Sequence, residues 1–162
     1  MKKWIIISCI MFFLLSIGLG TLAYYVMREP LEKGYEQAQQ YVFDQNLLND
    51  IHSITYYHGT ESYYVLHGFN EENVETIVWL NQNFEEVVSR KASEGITPEE
   101  AREIVKNDVN LNSIQTVRLG VERNLPIYEV LFVDEANRQG YYYITFDDGT
   151  FMKRYSLKRD DV

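Results

Sequence analysis

The sequence predicts an α+β protein: one N-terminal transmembrane helix followed by two tandem units, each a helix packed on an antiparallel β-meander. Three observations predict it. The chain opens on a long uncharged apolar run, it introduces an amphipathic helix twice with a proline, and after each helix come four short β-branched or aromatic runs separated by turn residues.

After Lys2 and Lys3 nothing from Trp4 to Met27 carries a charge. The apolar stretch from Ile5 to Val26 would reach about 33 Å at 1.5 Å per residue, enough for a hydrocarbon layer of ~30 Å. Trp4 and the pair Tyr24-Tyr25 stand where interfacial aromatics belong. Residues 4–27 therefore read as a membrane anchor, with residues 1–3 as a short cytoplasmic end. A cleaved signal peptide is the alternative, since Thr21-Leu22-Ala23 is a passable cleavage site, but such hydrophobic regions usually run only ~7–15 residues. Lys2 and Lys3 are balanced by Arg28 and Lys33, so side-chain charge does not orient the helix. The free amino terminus and the very short leading tail favour placing residues 28–162 outside the cytoplasm. The sole cysteine, Cys9, falls in this span, so the outer portion folds without disulfides.

The first helix is expected to open at "REPLEKGYEQAQQYV", with Pro30 at its start and Leu31, Gly34, Tyr35, Ala38, Tyr41 and Val42 as its apolar stripe. Only Arg28 and Glu29 would then join it to the span, about 10 Å of extended chain. Four strands follow: "HSITYYH", "SYYVLHGF", "VETIVWLN" and "FEEVVSR". The second helix opens at "ITPEEAREIVKN". Thr97 caps it, Pro98 takes the first helical position and Glu100 completes a capping box, while Ala101, Ile104, Val105 and Val109 form its buried stripe. Four strands follow again: "SIQTVRLGV", "PIYEVLFVD", "GYYYITF" and "TFMKRYS". Pro30 and Pro98 are 68 apart, Trp79 and Thr145 66, Phe84 and Phe151 67, which suggests a duplication with units at 28–93 and 94–162.

All 24 acidic residues lie beyond residue 27 together with 13 basic ones, so the outer portion carries a net charge of −11. Nucleic acid and anionic polymers are poor direct partners for it. No catalytic, cofactor-binding or metal-ligating residues are assigned. "GLGTLA" at 18–23 imitates a dinucleotide loop but lies in the apolar run with no strand before it. His52, His58 and His67 lack ligand spacing, and no Gly-x-Ser-x-Gly or His-Glu-x-x-His is present.

Tyrosine is the conspicuous residue: 11 of the 13 lie in the outer portion. Strand alternation sends Tyr142, Ile144 and Phe146 to one face and Tyr141, Tyr143 and Thr145 to the other. Either the second face is exposed, in which case Tyr63, Tyr64, Trp79, Tyr141 and Tyr143 are candidates for a partner surface, or it is buried between the two units.

A "TPEEA" helix followed by a meander ending in "YYYITFDDGTFMKRY" resembles a PepSY domain. The whole arrangement, including "WLNQNFEEVVSRKASEGITPEEA", resembles the YpmB or TseB-like family of cell wall elongation regulators in Gram-positive bacteria. The resemblance implies two PepSY-like domains on the outer face of the cell membrane, no catalytic activity and no cofactor. It also implies association with a class B penicillin-binding transpeptidase. The alternative it suggests is an inhibitor or chaperone of an extracytoplasmic peptidase.

Overall fold

The computed structural model describes residues 2–157, without the side chains of residues 2, 5, 8, 9 and 25–29. The described residues fall into two compact units, the first ending at Gln37 and the second beginning at Ala38. Helix α1 spans Lys2–Asp44 and thus runs through both, with Pro30 inside it. This corrects the expected helix start at Pro30 and the extended link at Arg28 and Glu29. Proline's fixed φ is compatible with helical backbone, so the helix loses a hydrogen bond at Pro30 without ending.

In the first unit Trp4, Ile6, Phe12, Phe13, Leu14 and Leu22 are exposed. Among the described residues no helix is long and apolar enough to cross a membrane. The expected span at 4–27 is therefore not supported by the structure, and the side chains of Ile5, Ser8, Cys9 and 25–27, which that span included, lie outside the described residues.

The second unit holds the end of α1 and all eight expected strands. Strands β1 (Asp50–His58), β2 (Ser62–Phe69), β3 (Glu75–Asn81) and β4 (Val87–Lys91) form one antiparallel sheet in sequence order. A short 3₁₀ turn (Ala92–Glu94) leads to α2 (Pro98–Asp108). Strands β5 (Leu111–Glu122), β6 (Leu125–Asp134), β7 (Gln139–Thr145) and β8 (Phe151–Ser156) form the second sheet, again in sequence order. Two-residue alternation and tight turns leave a meander as the simplest way to pair four consecutive strands.

The α2 capping box forms as its residues predict. Thr97 Oγ1 accepts the Glu100 N–H at 3.2 Å and Glu100 Oε2 accepts the Thr97 N–H at 2.7 Å. The Thr97 N–H, and then the Thr97 hydroxyl, both donating to the carboxylate, hold the Glu100 carboxyl below its usual range. Replacing Thr97 by alanine should cost about 1 kcal/mol, read as a lowered urea midpoint with an unchanged slope.

Both helices bury an alanine and a valine one turn apart: Ala38 and Val42 on α1, Ala101 and Val105 on α2, all fully buried. Ala101 and Val105 join Tyr128, Val130, Phe132, Tyr142, Ile144 and Phe146 in a core that also takes Tyr57, Tyr63, Val65, Ile77 and Trp79 from the first sheet. The alternate face of the first sheet buries Tyr64, Leu66, Val78 and Leu80. There Phe84 stacks between Tyr41 of α1, at 5.7 Å, and Tyr64, at 6.0 Å.

The hydrogen-bonded turns reveal a repeat in a register that the sequence reading missed. Asn70 N–H bonds to Val74 O and Asn73 N–H to Asn70 O; 64 residues on, Asp134 N–H bonds to Arg138 O and Asn137 N–H to Asp134 O. Asn73 and Asn137 share a φ of 58°, the left-handed conformation that asparagine tolerates well. The next turns match at the same offset, with Asn81 N–H to Glu86 O and Thr145 N–H to Thr150 O. The structure therefore pairs Asn81, not Trp79, with Thr145. In these turns Gly149 has φ 72° and Phe84 has φ 61°; a bulky residue there is strained, and the two ring stacks are what Phe84 gains.

Candidate functional site

Four of the five aromatics expected on a partner surface are core residues. Trp79 is 0% exposed, Tyr63 2%, Tyr64 5% and Tyr143 8%; only Tyr141 is half-buried. The second sheet is closed over at Tyr143, while Tyr155 of β8, paired with Tyr141 on the same face, is left 52% exposed, so the aromatic face that alternation permits is buried only in part. The polar tips of these rings are occupied as well. Tyr63 donates to Glu61 at 3.2 Å and Glu86 at 3.3 Å, and Tyr143 donates to Glu129 at 2.9 Å. The Trp79 ring meets Phe146 edge-on at 5.3 Å.

The histidines do not converge. His52 lies against Asp50 at 3.3 Å, His58 Nδ1 against Ser62 Oγ at 2.8 Å and His67 Nε2 against Glu75 at 3.1 Å. Each lies beside a residue on its own or the neighbouring strand, although His67 Nε2, buried, makes no hydrogen bond to Glu75. Among the described residues no group of three or more metal-ligating side chains gathers.

Two cavities lie where the sheets meet. The first, about 310 Å³, is lined by Thr60, Glu61, Glu122, Arg123, Lys153 and Tyr155, among others. Its centre is Glu122, 5% exposed. Glu122 accepts from Tyr57 at 3.2 Å and from the Thr60 N–H at 3.4 Å, both on the first sheet's side. It also pairs with Lys153 of β8, whose ammonium lies 4.5 Å from the Tyr143 ring centre. Burial works against the charged carboxylate, but Lys153, the Thr60 N–H and the Tyr57 hydroxyl outweigh it and hold Glu122 below the usual range. Burial first, and then Glu122, push the Tyr57 hydroxyl well above its ordinary value. A second pair, the half-exposed Arg118 with the buried Glu129, sits on the neighbouring strands β5 and β6. Glu122 is thus a tie between sheets, its groups satisfied by one another.

The sign of its pH dependence follows. A carboxyl whose folded pKa is depressed contributes stability above its unfolded value and loses it as pH falls through the folded value. Replacing Glu122 by glutamine should cost about 1–3 kcal/mol at neutral pH, because Lys153 loses its counter-charge in a largely buried position. Urea melts of the two proteins should converge as the pH drops below about 4.

The second cavity, about 360 Å³, is predominantly apolar and is lined by Ile77, Ala92, Ile96, Leu119, Tyr128 and Phe146, with His67 and Glu75 also in its wall. Its wall is pinned. Ile96 N–H donates to Phe146 O at 2.9 Å, and Ile96 O accepts the Tyr128 hydroxyl at 2.9 Å. Gly95 admits the Phe146 ring where a Cβ would stand 2.4 Å from it. Burial, then the carboxylates of Glu99 and Glu100, keep the Tyr128 hydroxyl protonated far above neutral pH. No signal in the sequence marks this cavity, because its lining comes from both sheets and from the connection between them.

Comparison with known proteins bears on the whole arrangement. The family model described as "Cell wall elongation regulator TseB-like domain" matches residues 37–81. The probable cell wall elongation regulator TseB of Bacillus subtilis (strain 168) is 23% identical over 157 residues, covering 94% of this chain and 98% of that protein. The solved structure of the YpmB protein from Bacillus subtilis matches with a TM-score of 0.73 at 25% identity, over 76% of this chain and 98% of that one. Family model, sequence relative and fold agree, and each is a similarity to the TseB-like (YpmB) family of cell wall elongation regulators.

Proposed function

We propose that the chain is a membrane-anchored, non-enzymatic regulator of cell wall elongation, acting outside the cytoplasm by binding a class B penicillin-binding transpeptidase. The observation that carries the regulatory reading is the similarity, over nearly the full length of both chains, to a protein named as a cell wall elongation regulator. Membrane attachment is supported by the uncharged run from Trp4 to Met27 and by the exposed apolar side chains along the start of α1. The non-enzymatic reading is supported by the polar groups of the first cavity, whose carboxylate, ammonium and phenols are engaged with each other rather than held ready for a substrate. The repeated helices and turns support reading 28–93 and 94–162 as two PepSY-like copies that together make a binding body.

The test is crosslinking in intact cells followed by purification of the chain from solubilised membranes. A class B transpeptidase should be recovered. Recovery of an extracytoplasmic peptidase in its place would replace this reading with that of a peptidase inhibitor or chaperone.

A further inference from the structure

We propose that the apolar cavity beside the 92–98 connection is a socket for one large apolar side chain flanked by a lysine or arginine, carried on an exposed segment of the partner protein. The inference rests on the reading that the chain engages a protein partner, and it names where and by what chemistry.

Three observations carry it. The cavity is preformed: the hydrogen bonds of Ile96 to Phe146 and Tyr128, and the packing of Gly95 on the Phe146 ring, fix its wall before anything enters. A preformed apolar site binds without the ordering cost that a flexible one incurs. Its size suits an anchor. About 360 Å³ is at the small end of the ~300–1,000 Å³ range of ligand sites, room for an aromatic or long aliphatic side chain of the kind that anchors an interface.

Its charge selects the flank. No lysine or arginine lines the cavity, whereas Glu75 does, its carboxylate half exposed and 3.1 Å from the His67 ring. Glu99 and Glu100 at the start of α2 add negative potential at Tyr128. An apolar group followed by a cation fits this field, and one followed by a carboxylate is repelled. A chain segment supplies both features on adjacent residues, and the acidic outer portion of this protein, at −11, attracts a basic segment at longer range.

The test uses the full chain in detergent micelles with labelled isoleucine, leucine and valine methyls. The probes are end-capped Phe-Lys and Phe-Glu dipeptides. Phe-Lys should shift the methyls of Ile77, Ile96 and Leu119 saturably, and Phe-Glu should bind about 2–5-fold more weakly. Ala92→Trp, which fills the cavity, should abolish the shifts, with the methyls of Val78 and Leu80 on the far face of the first sheet reporting an intact fold. Glu75→Gln, at a half-exposed position that does not threaten folding, should narrow the difference between the two dipeptides, leaving only what Glu99, Glu100 and the net charge contribute. Absence of saturable shifts, equal binding of both dipeptides to the unaltered chain, or a charge preference undiminished by Glu75→Gln would each overturn the socket. Failure of this inference and failure of the proposed function are distinguishable. Phe-Lys binding by a chain that recovers no transpeptidase from cells leaves the socket and removes that partner, while undiminished recovery of the transpeptidase by a folded Ala92→Trp chain leaves the partner and removes the socket.

Discussion

Replacing Trp79 by alanine should destabilise the folded protein by about 3–5 kcal/mol. The residue is completely buried, packs edge-on against Phe146 of the second sheet and belongs to a core shared by both sheets and α2. Removing its indole would leave a void walled by β-sheet on both sides, where backbone hydrogen bonds resist collapse. The indole N–H has no hydrogen-bond partner, so the loss is one of packing and hydrophobic burial. Trp79→Phe should accordingly recover more than half of the deficit. Denaturant melts of the three proteins decide the matter: a change below about 0.5 kcal/mol, the range of ordinary surface substitutions, would mean that Trp79 faces solvent after all.

Release from the membrane should lower function about 100-fold, the scale on which tethering raises an effective concentration. The proposed partner is confined to the same membrane, so a weak interface of one anchored side chain and some charge complementarity suffices only while both proteins share that surface. The measurement compares residues 28–162 secreted freely with the same residues held by an unrelated single membrane helix, both at the normal level. The re-anchored form should restore elongation and the secreted form should not. Equal restoration by both would show that confinement plays no part, and failure of both would assign specific contacts to residues 4–27. Because α1 is continuous from Lys2 to Asp44, the unrelated helix should be joined in helical phase at residue 28.

The eight strands and the start of α2 were legible because their causes are local. Alternation over seven to nine residues, turn residues at the strand ends and the Thr97–Glu100 capping box all act between near neighbours in the chain. The duplication was legible as a pattern but not in register. The matching turns at Asn70–Val74 and Asp134–Arg138 share a conformation and a left-handed asparagine more than they share identities, so prolines and aromatics drew the eye to offsets of 66–68 where the hydrogen bonds repeat at 64. Pro30 misled for a related reason: proline's preference for the first helical position is a tendency, and the structure continues the helix through it.

The candidate site was not legible. Alternation states which tyrosines share a face and is silent on what covers that face. Glu122 shows the same limit, since its partners are Thr60, 62 residues earlier, and Lys153, 31 later, and nothing near it in the chain distinguishes it from the other acidic residues.

What the sequence by itself determined is the material of the protein: an uncharged apolar start, an acidic portion beyond residue 27 that holds no cysteine, and two helix-and-meander patterns, because charge, hydropathy and strand period are properties of consecutive residues. Only the tertiary structure decided that Tyr63, Tyr64, Trp79 and Tyr143 are core, that Glu122 ties one sheet to the other, and that a pinned apolar cavity with one carboxylate in its wall opens beside the connection. Each of these depends on which surfaces meet, and surfaces meet where burying apolar area outweighs the loss of chain entropy across separations of 30 to 60 residues, a balance that no local stretch of the chain contains.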